Sequence, residues 1–258
     1  MNSDKPTILV TNDDGITSPG IAALIHAVKP LGNIVVVAPD SPQSGMGHAI
    51  TVAKPLRLDP IKLYEGVQCF QSSGTPADCV KLAVAKVLHK KPDLVVSGIN
   101  HGSNSSISVI YSGTMSAAVE ASIENIPAVG FSLVNYSHEA DMTAASKIAR
   151  HIAKLILENG LPQGTVLNVN IPDVPYEEIK GIKICRQANA KYEEEFDERT
   201  DPNGRKYYWM VGNFLNLDKG DDTDVWALKN NFVSMVPVQY DMTAHHAISI
   251  LNNWKLNA

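Results

Sequence analysis

The stretch ILVTNDDGITSPG, Ile8 to Gly20, reads in turn as a buried strand, an acidic turn and a helix start. Thr7–Thr11 is apolar or β-branched throughout, as a strand covered on both faces must be. Ser18 then offers a capping hydroxyl and Pro19 a first helical residue, ahead of IAALIHAV. A strand that passes directly into a helix is the opening of a βαβ unit, and hence of a parallel sheet.

The same device recurs outward from this point. Ile34–Ala38, Asp93–Ser97 and Ala128–Ser132 are further short, nearly continuous apolar runs. Thr75-Pro76 precedes ADCVKLAVAKVL, and a third helix, SAAVEASIEN, begins near Ser112–Ser116. Between them, ITVAKPLRLDPIKLYEGVQCFQSS reads as extended strands with a turn at Glu65-Gly66. A long helix is expected from Glu139 to Asn159, ended by Gly160. Val166–Ile171, Ile182–Cys185 and Phe232–Val238 are expected strands. YEEEFDERTDPNGRKYYWMVG, with its turn signal at Asp201–Gly204, predicts a projecting hairpin. The terminal HHAISILNNWKLN suits a short helix or an extended tail. The expected organisation is a core at residues 1–190, an arm at 191–230, and a strand and tail at 231–258 that return to the core. The arm carries Tyr207, Tyr208 and Trp209, more apolar surface than a lone hairpin hides, which predicts a role in oligomerisation.

Composition excludes several classes. The 258 residues carry a formal charge of −5 without any dense Lys/Arg block, so a nucleic-acid duplex is not an expected partner. The first residues lack the pattern of a signal peptide, and no apolar run is long enough to span a bilayer. The three cysteines, Cys69, Cys79 and Cys185, have no metal-type spacing, and a sparse, odd count suits a reducing cytoplasm. Cys79 falls on an apolar helical pattern and is expected to be buried.

In a right-handed parallel sheet, the loops that follow the strands share one edge, where ligands bind. Here those loops hold Asn12-Asp13-Asp14-Gly15, then Asp40 to His48 with Ser44-Gly45-Met46-Gly47, then Gly98 to Asn104, and Ser112-Gly113-Thr114 at a helix start. Adjacent carboxylates repel, and a divalent cation relieves that repulsion. Oxygen donors from Asp, Ser and Asn suit Mg²⁺ or Mn²⁺. Glycines and a helix N-terminus would admit an anion, so Asn12, Gly45, Ser112, Gly113 and Thr114 are candidate phosphate contacts. A metal beside an anion cradle is the apparatus of phosphoryl chemistry.

The motifs ILVTNDDGITSPGI, APDSPQSGMGHAIT, GTPADCVKLA, DLVVSGINHGSN and YSGTMSAAVEA, in that order, resemble the SurE family, the stationary-phase survival proteins. TDVWALKNNFVSMVPVQYDMT is similar to the family's C-terminal signature. The resemblance implies an α/β fold with a Rossmann-like, mostly parallel sheet in a three-layer sandwich. It also implies a cytoplasmic homodimer or homotetramer, and hydrolysis of nucleoside 5′- and 3′-monophosphates. One divalent cation per subunit, held by Asp13, Asp14, Ser44 and Asn100, is implied too. Asn104 carries over as a substrate contact. Metal-activated water would attack phosphorus, with Asp13 or Asp14 as catalytic base.

Other readings are weaker. Ser97 lacks the Gly-x-Ser-x-Gly frame of a nucleophile elbow, since Val95 and Val96 precede it. A receiver-like Mg²⁺ module would need an acceptor Asp where Ser97 stands; a nucleotide-binding module without turnover would not need four metal ligands. His48 could donate a proton but reads more simply as a surface residue. His245-His246, in an extended tail, would point to opposite faces and so could not share one metal.

Overall fold

The computed structural model describes residues 5–254. The elements run β1 (Thr7–Thr11), α1 (Pro19–Val28), β2 (Asn33–Pro39), β3 (Leu58–Ile61), β4 (Gln68–Ser72), α2 (Pro76–Leu82), β5 (Leu94–His101), α3 (Gly113–Ile123) and β6 (Ala128–Leu133). They continue α4 (Thr143–Asn159), β7 (Thr165–Ile171), β8 (Ile182–Ile184), β9 (Ala190–Thr200), β10 (Lys206–Asn216), α5 (Asp224–Lys229), β11 (Val233–Gln239) and α6 (His245–Leu251).

Nine strands form one sheet in the order β3-β4-β2-β1-β5-β6-β7-β11-β8. From β4 to β7 every pairing is parallel; β3 and β11 join antiparallel to β4 and β7. Alternation along β1 sends Ile8 and Val10 to one face, where Ile21, Leu24 and Ile25 of α1 and Ile148 and Ile152 of α4 cover them. Leu9 faces the other way, into a layer with Val80 of α2 and Met115, Ala118 and Ala121 of α3. The sheet is thus buried on both sides, which is why its strands are apolar without interruption.

The helix starts follow the expected chemistry. Ser18 accepts from Ile21 N, and Thr75 forms a reciprocal capping box with Asp78. The long helix begins at Thr143, later than Glu139, because Asn135, Ser137 and Asp141 accept backbone N–H bonds from the residues two further on and hold that segment in turns. The third core strand runs on past Ser97 to His101, with a shift of register against β6 between Ser97 and Asn100.

β9 and β10 make a separate antiparallel pair, from Ala190 opposite Asn216 to Thr200 opposite Lys206. Asp201 closes its turn by accepting from Asn203 N and Arg205 N. Phe196, Trp209 and Met210 on this hairpin are exposed. The chain then returns to the body, where α5 buries Ala227 beside β11 and Trp226 stacks on Phe232. His245-His246 opens α6, and His245 Nε2 lies 2.9 Å from Asp241 Oδ2. The end of the tail expected at Lys255–Asn257 falls outside the described residues. Among the described residues no helix is long and apolar enough to cross a membrane.

Candidate active site

The carboxyl ends of β1, β2 and β5 open at one edge, and α3 begins beside them. Asp13 is only 3% exposed there. Thr114 Oγ1 donates to Asp13 Oδ1 at 2.5 Å. A Cβ on Gly113 would stand 2.6 Å from Asp13 Cβ, so only glycine lets the first turn of α3 approach this closely. The carboxylate therefore sits at the positive end of α3. Burial is the main influence on its acidity; the Thr114 bond pulls the pKa down and the Asp14 charge pushes it up, with a net rise from 3.8 to about 6.

Asp14 is met by the end of β5. His101 Nδ1 lies 3.1 Å from Asp14 Oδ2, and the backbone N–H of His101 points at the same oxygen, at 3.4 Å. Among the described residues, no Lys or Arg forms an ion pair with Asp13 or Asp14. Both carboxylates thus have one oxygen held by a donor of the protein.

The Ser44 loop is anchored beside them. Gln43 N donates to Asp13 O at 2.7 Å, and Gly47 N to Tyr111 O at 3.1 Å. Between these anchors Ser44 and Gly45 are exposed, with Gly45 at φ +75°. Asn100, half-buried near the end of β5, donates its Nδ2 to Gly102 O at 2.8 Å, which leaves Oδ1 as the end able to serve a cation.

Other candidates are turned to internal work. Asn12 Nδ2 donates to Gly15 O and Ser18 Oγ, both at 2.9 Å, and so ties the acidic turn to the start of α1. Ser112 Oγ caps α3 by accepting from Met115 N. Asn104 donates Nδ2 to Ser132 and its backbone N–H to Asn170, and accepts from Asn168, all at 2.8 Å. That network sets the loop after β5 onto β6 and β7. Further on, Asp224 accepts from Ser106 N at 2.7 Å and from Ala188 N at 3.0 Å, joining the same loop to the foot of the hairpin.

His48 and Ser97 make no hydrogen bond to Asp13 or Asp14 among the described residues. His48 bonds to buried Glu120, which also takes Lys81 Nζ at 2.6 Å. Ser97 is fully buried, and its hydroxyl meets no partner among the described residues. Asp93 accepts from Thr7 N at the start of β5, at the far edge from Asp13, so it cannot act as the acceptor of a receiver-like site. Cys79 is buried, as its helical pattern predicts. Sequence reasoning assigned no site role to His101. Its only signal was its place directly after Asn100.

These residues fit a hard cation. Two adjacent carboxylates are sunk in the edge without a Lys or Arg partner among the described residues, and the other available donors are neutral oxygens. Among the described residues no cluster of three or more His, Cys, Asp or Glu offers an alternative centre.

Comparison with known proteins agrees in fold and sequence. The family model described as "Survival protein SurE" matches residues 8–194. A protein named 5′-nucleotidase SurE from Christiangramia forsetii is 62% identical over 259 residues, covering 100% of both chains. One of the same name from Flavobacterium psychrophilum is 61% identical over 254 residues, covering 98% of this chain and 99% of that one. The crystal structure of the SurE protein from Aquifex aeolicus superposes with a TM-score of 0.83 at 42% identity, covering 96% of this chain and 98% of that one.

Proposed function

The chain belongs to the survival protein SurE family, and from that premise we propose that it is a divalent-metal-dependent nucleotidase. Its substrates are nucleoside 5′-monophosphates, with 3′-monophosphates as a second class, and its products are nucleoside and phosphate. One observation carries the reading: the buried Asp13 and the adjoining Asp14 stand together at the sheet edge, with no Lys or Arg ion-paired to either among the described residues.

Asp13, Asp14, Asn100 through Oδ1 and Ser44 through Oγ would hold one Mg²⁺ or Mn²⁺. When bound, such an ion supplies charge neutralisation, polarisation of a phosphoryl oxygen and a lowered pKa for water. The chain's own groups do the rest. Thr114 fixes one oxygen of Asp13. Gly45, with open space where a side chain would stand, leaves room for an anion. The acidic pair accepts the proton that the attacking water loses. Direct attack by water is favoured over a phosphoserine, because no hydrogen bond joins Ser44 or Ser97 to a histidine among the described residues; His48 and His101 are engaged by Glu120 and Asp14.

The proposal includes a cytoplasmic location, consistent with three cysteines that are all unpaired and buried. It also takes the β9–β10 hairpin as an arm between copies of the chain in a homodimer or homotetramer. The test is phosphate release from a panel of nucleoside monophosphates, first in EDTA and then with Mn²⁺ or Mg²⁺ restored. Turnover only after metal is restored supports the reading; turnover undiminished in EDTA overturns it.

A further inference from the structure

Among the described residues, the His101 ring is the one imidazole in contact with the acidic pair. It is 9% exposed, at the end of β5, and lies 5.1 Å from the His138 ring, centroid to centroid. The start of α1 closes over it: a Cβ on Gly20 would stand 3.4 Å from His101 Cε1 and collide with the Ile99 carbonyl. A ring held this tightly has little freedom to turn.

Its hydrogen bonding is one-sided. Opposite an ionised carboxylate, Nδ1 acts as the donor. Nε2, also buried, meets no partner among the described residues. A buried ring nitrogen without a partner costs stability, so burial alone does not explain a histidine here. An apolar residue of the same size would fill the space without that cost. What the histidine adds is the bond to Asp14. Its ring N–H and its backbone N–H both fall on Oδ2. Oδ1 accepts no hydrogen bond among the described residues.

We propose that His101 is a positioning residue, which holds Asp14 Oδ2 through its ring so that Oδ1 is the oxygen presented to the divalent cation. The role matches that of Thr114 on Asp13. A carboxylate ligand steadied in this way binds metal more tightly than one free to rotate, and losing such a partner typically weakens affinity about 10- to 100-fold. This rests on the metal-site reading above.

The test is calorimetric titration of Mn²⁺ into metal-free protein without nucleotide, comparing wild type, His101→Phe and His101→Asn. Phenylalanine keeps the ring volume and removes the donor; asparagine returns an N–H near the Nδ1 position. The expected result is a dissociation constant about 10- to 100-fold higher for His101→Phe, with most of that loss recovered in His101→Asn. Rescue by asparagine separates positioning from mere packing, since asparagine fills the space less well than phenylalanine. Wild-type affinity in His101→Phe overturns the proposal. If His101→Phe does not fold, His101→Asn against His101→Leu carries the same comparison, and equal affinity in those two overturns it. Failure of wild type to bind Mn²⁺ overturns the metal site and this role together, whereas binding without phosphate release overturns only the assigned activity.

Discussion

Thr114 Oγ1 reaches Asp13 Oδ1 at 2.5 Å and joins the first turn of α3 to the end of β1. The two residues are 101 positions apart in sequence. Thr114→Val preserves shape and removes the donor, leaving a buried carboxylate short of a partner. The loss expected in urea unfolding of the metal-free protein is about 1–3 kcal/mol. Nucleotide turnover should fall as well, and Thr114→Ser should restore most of both.

Asp13 gives the metal-free protein a pH dependence of definite sign. Its pKa is higher in the fold, at about 6, than the ordinary 3.8, so the folded state binds the proton more tightly than the unfolded chain. Stability therefore falls as pH rises from about 4 to about 6, by at most about 3 kcal/mol. Asp13→Asn escapes this cost. In EDTA the variant should melt above wild type at pH 7.5, with the gap shrinking at pH 4.5. Mn²⁺ should raise the melting temperature of wild type and leave the variant nearly unmoved. Equal responses of the two proteins to Mn²⁺ would count against Asp13 as a ligand.

Glu120 carries the opposite sign. Burial pushes its carboxyl up, but the hydrogen bonds from His48 and Lys81 outweigh it and hold the pKa below the ordinary 4.5. The stability it contributes is present above pH 4.5 and is lost as pH falls through the lower folded value. Glu120→Gln should cost about 1–2 kcal/mol at pH 7, a cost that shrinks as pH falls below the ordinary 4.5. Thermal melts across that range check it. A cost that stays constant with pH would show that the charge is not involved.

The hairpin prediction concerns mass. Replacing the span between the paired residues Glu193 and Asn213 with a short turn removes Phe196, Trp209 and Met210. Light scattering should then report a smaller assembly than wild type, with the core's melting transition retained. An unchanged mass would exclude the arm from assembly.

The strands and caps were legible in the sequence because their causes are local. Unbroken apolar runs such as Val35–Val37 need cover on both faces, and Ser18-Pro19 and Thr75-Pro76 carry their hydrogen-bonding chemistry within one turn. The acidic pair was legible too, since two carboxylates at the end of a buried strand demand a counter-charge. What stayed hidden is pairing across distance. Nothing near Thr114 announces that it will donate to Asp13 instead of to a ligand, and nothing near His101 announces Asp14, 87 residues away. Asn104 is the same case: a loop amide by sequence, it is taken up by Asn168 and Asn170 of a strand that the local pattern cannot place beside it. The insertion of β11 between β7 and β8 depends likewise on contacts that no window of sequence contains.

Asp224 lends one oxygen to Ser106 and the other to Ala188. The foot of the hairpin and the loop beyond Asn100 are therefore fastened to the same carboxylate. With the hairpin as a long lever, that carboxylate is its fulcrum. A torque applied at Trp209 is carried through that carboxylate to Ser106, a few residues past Asn100. Whatever grips the far end of the hairpin takes hold, mechanically, of the rim of the active edge.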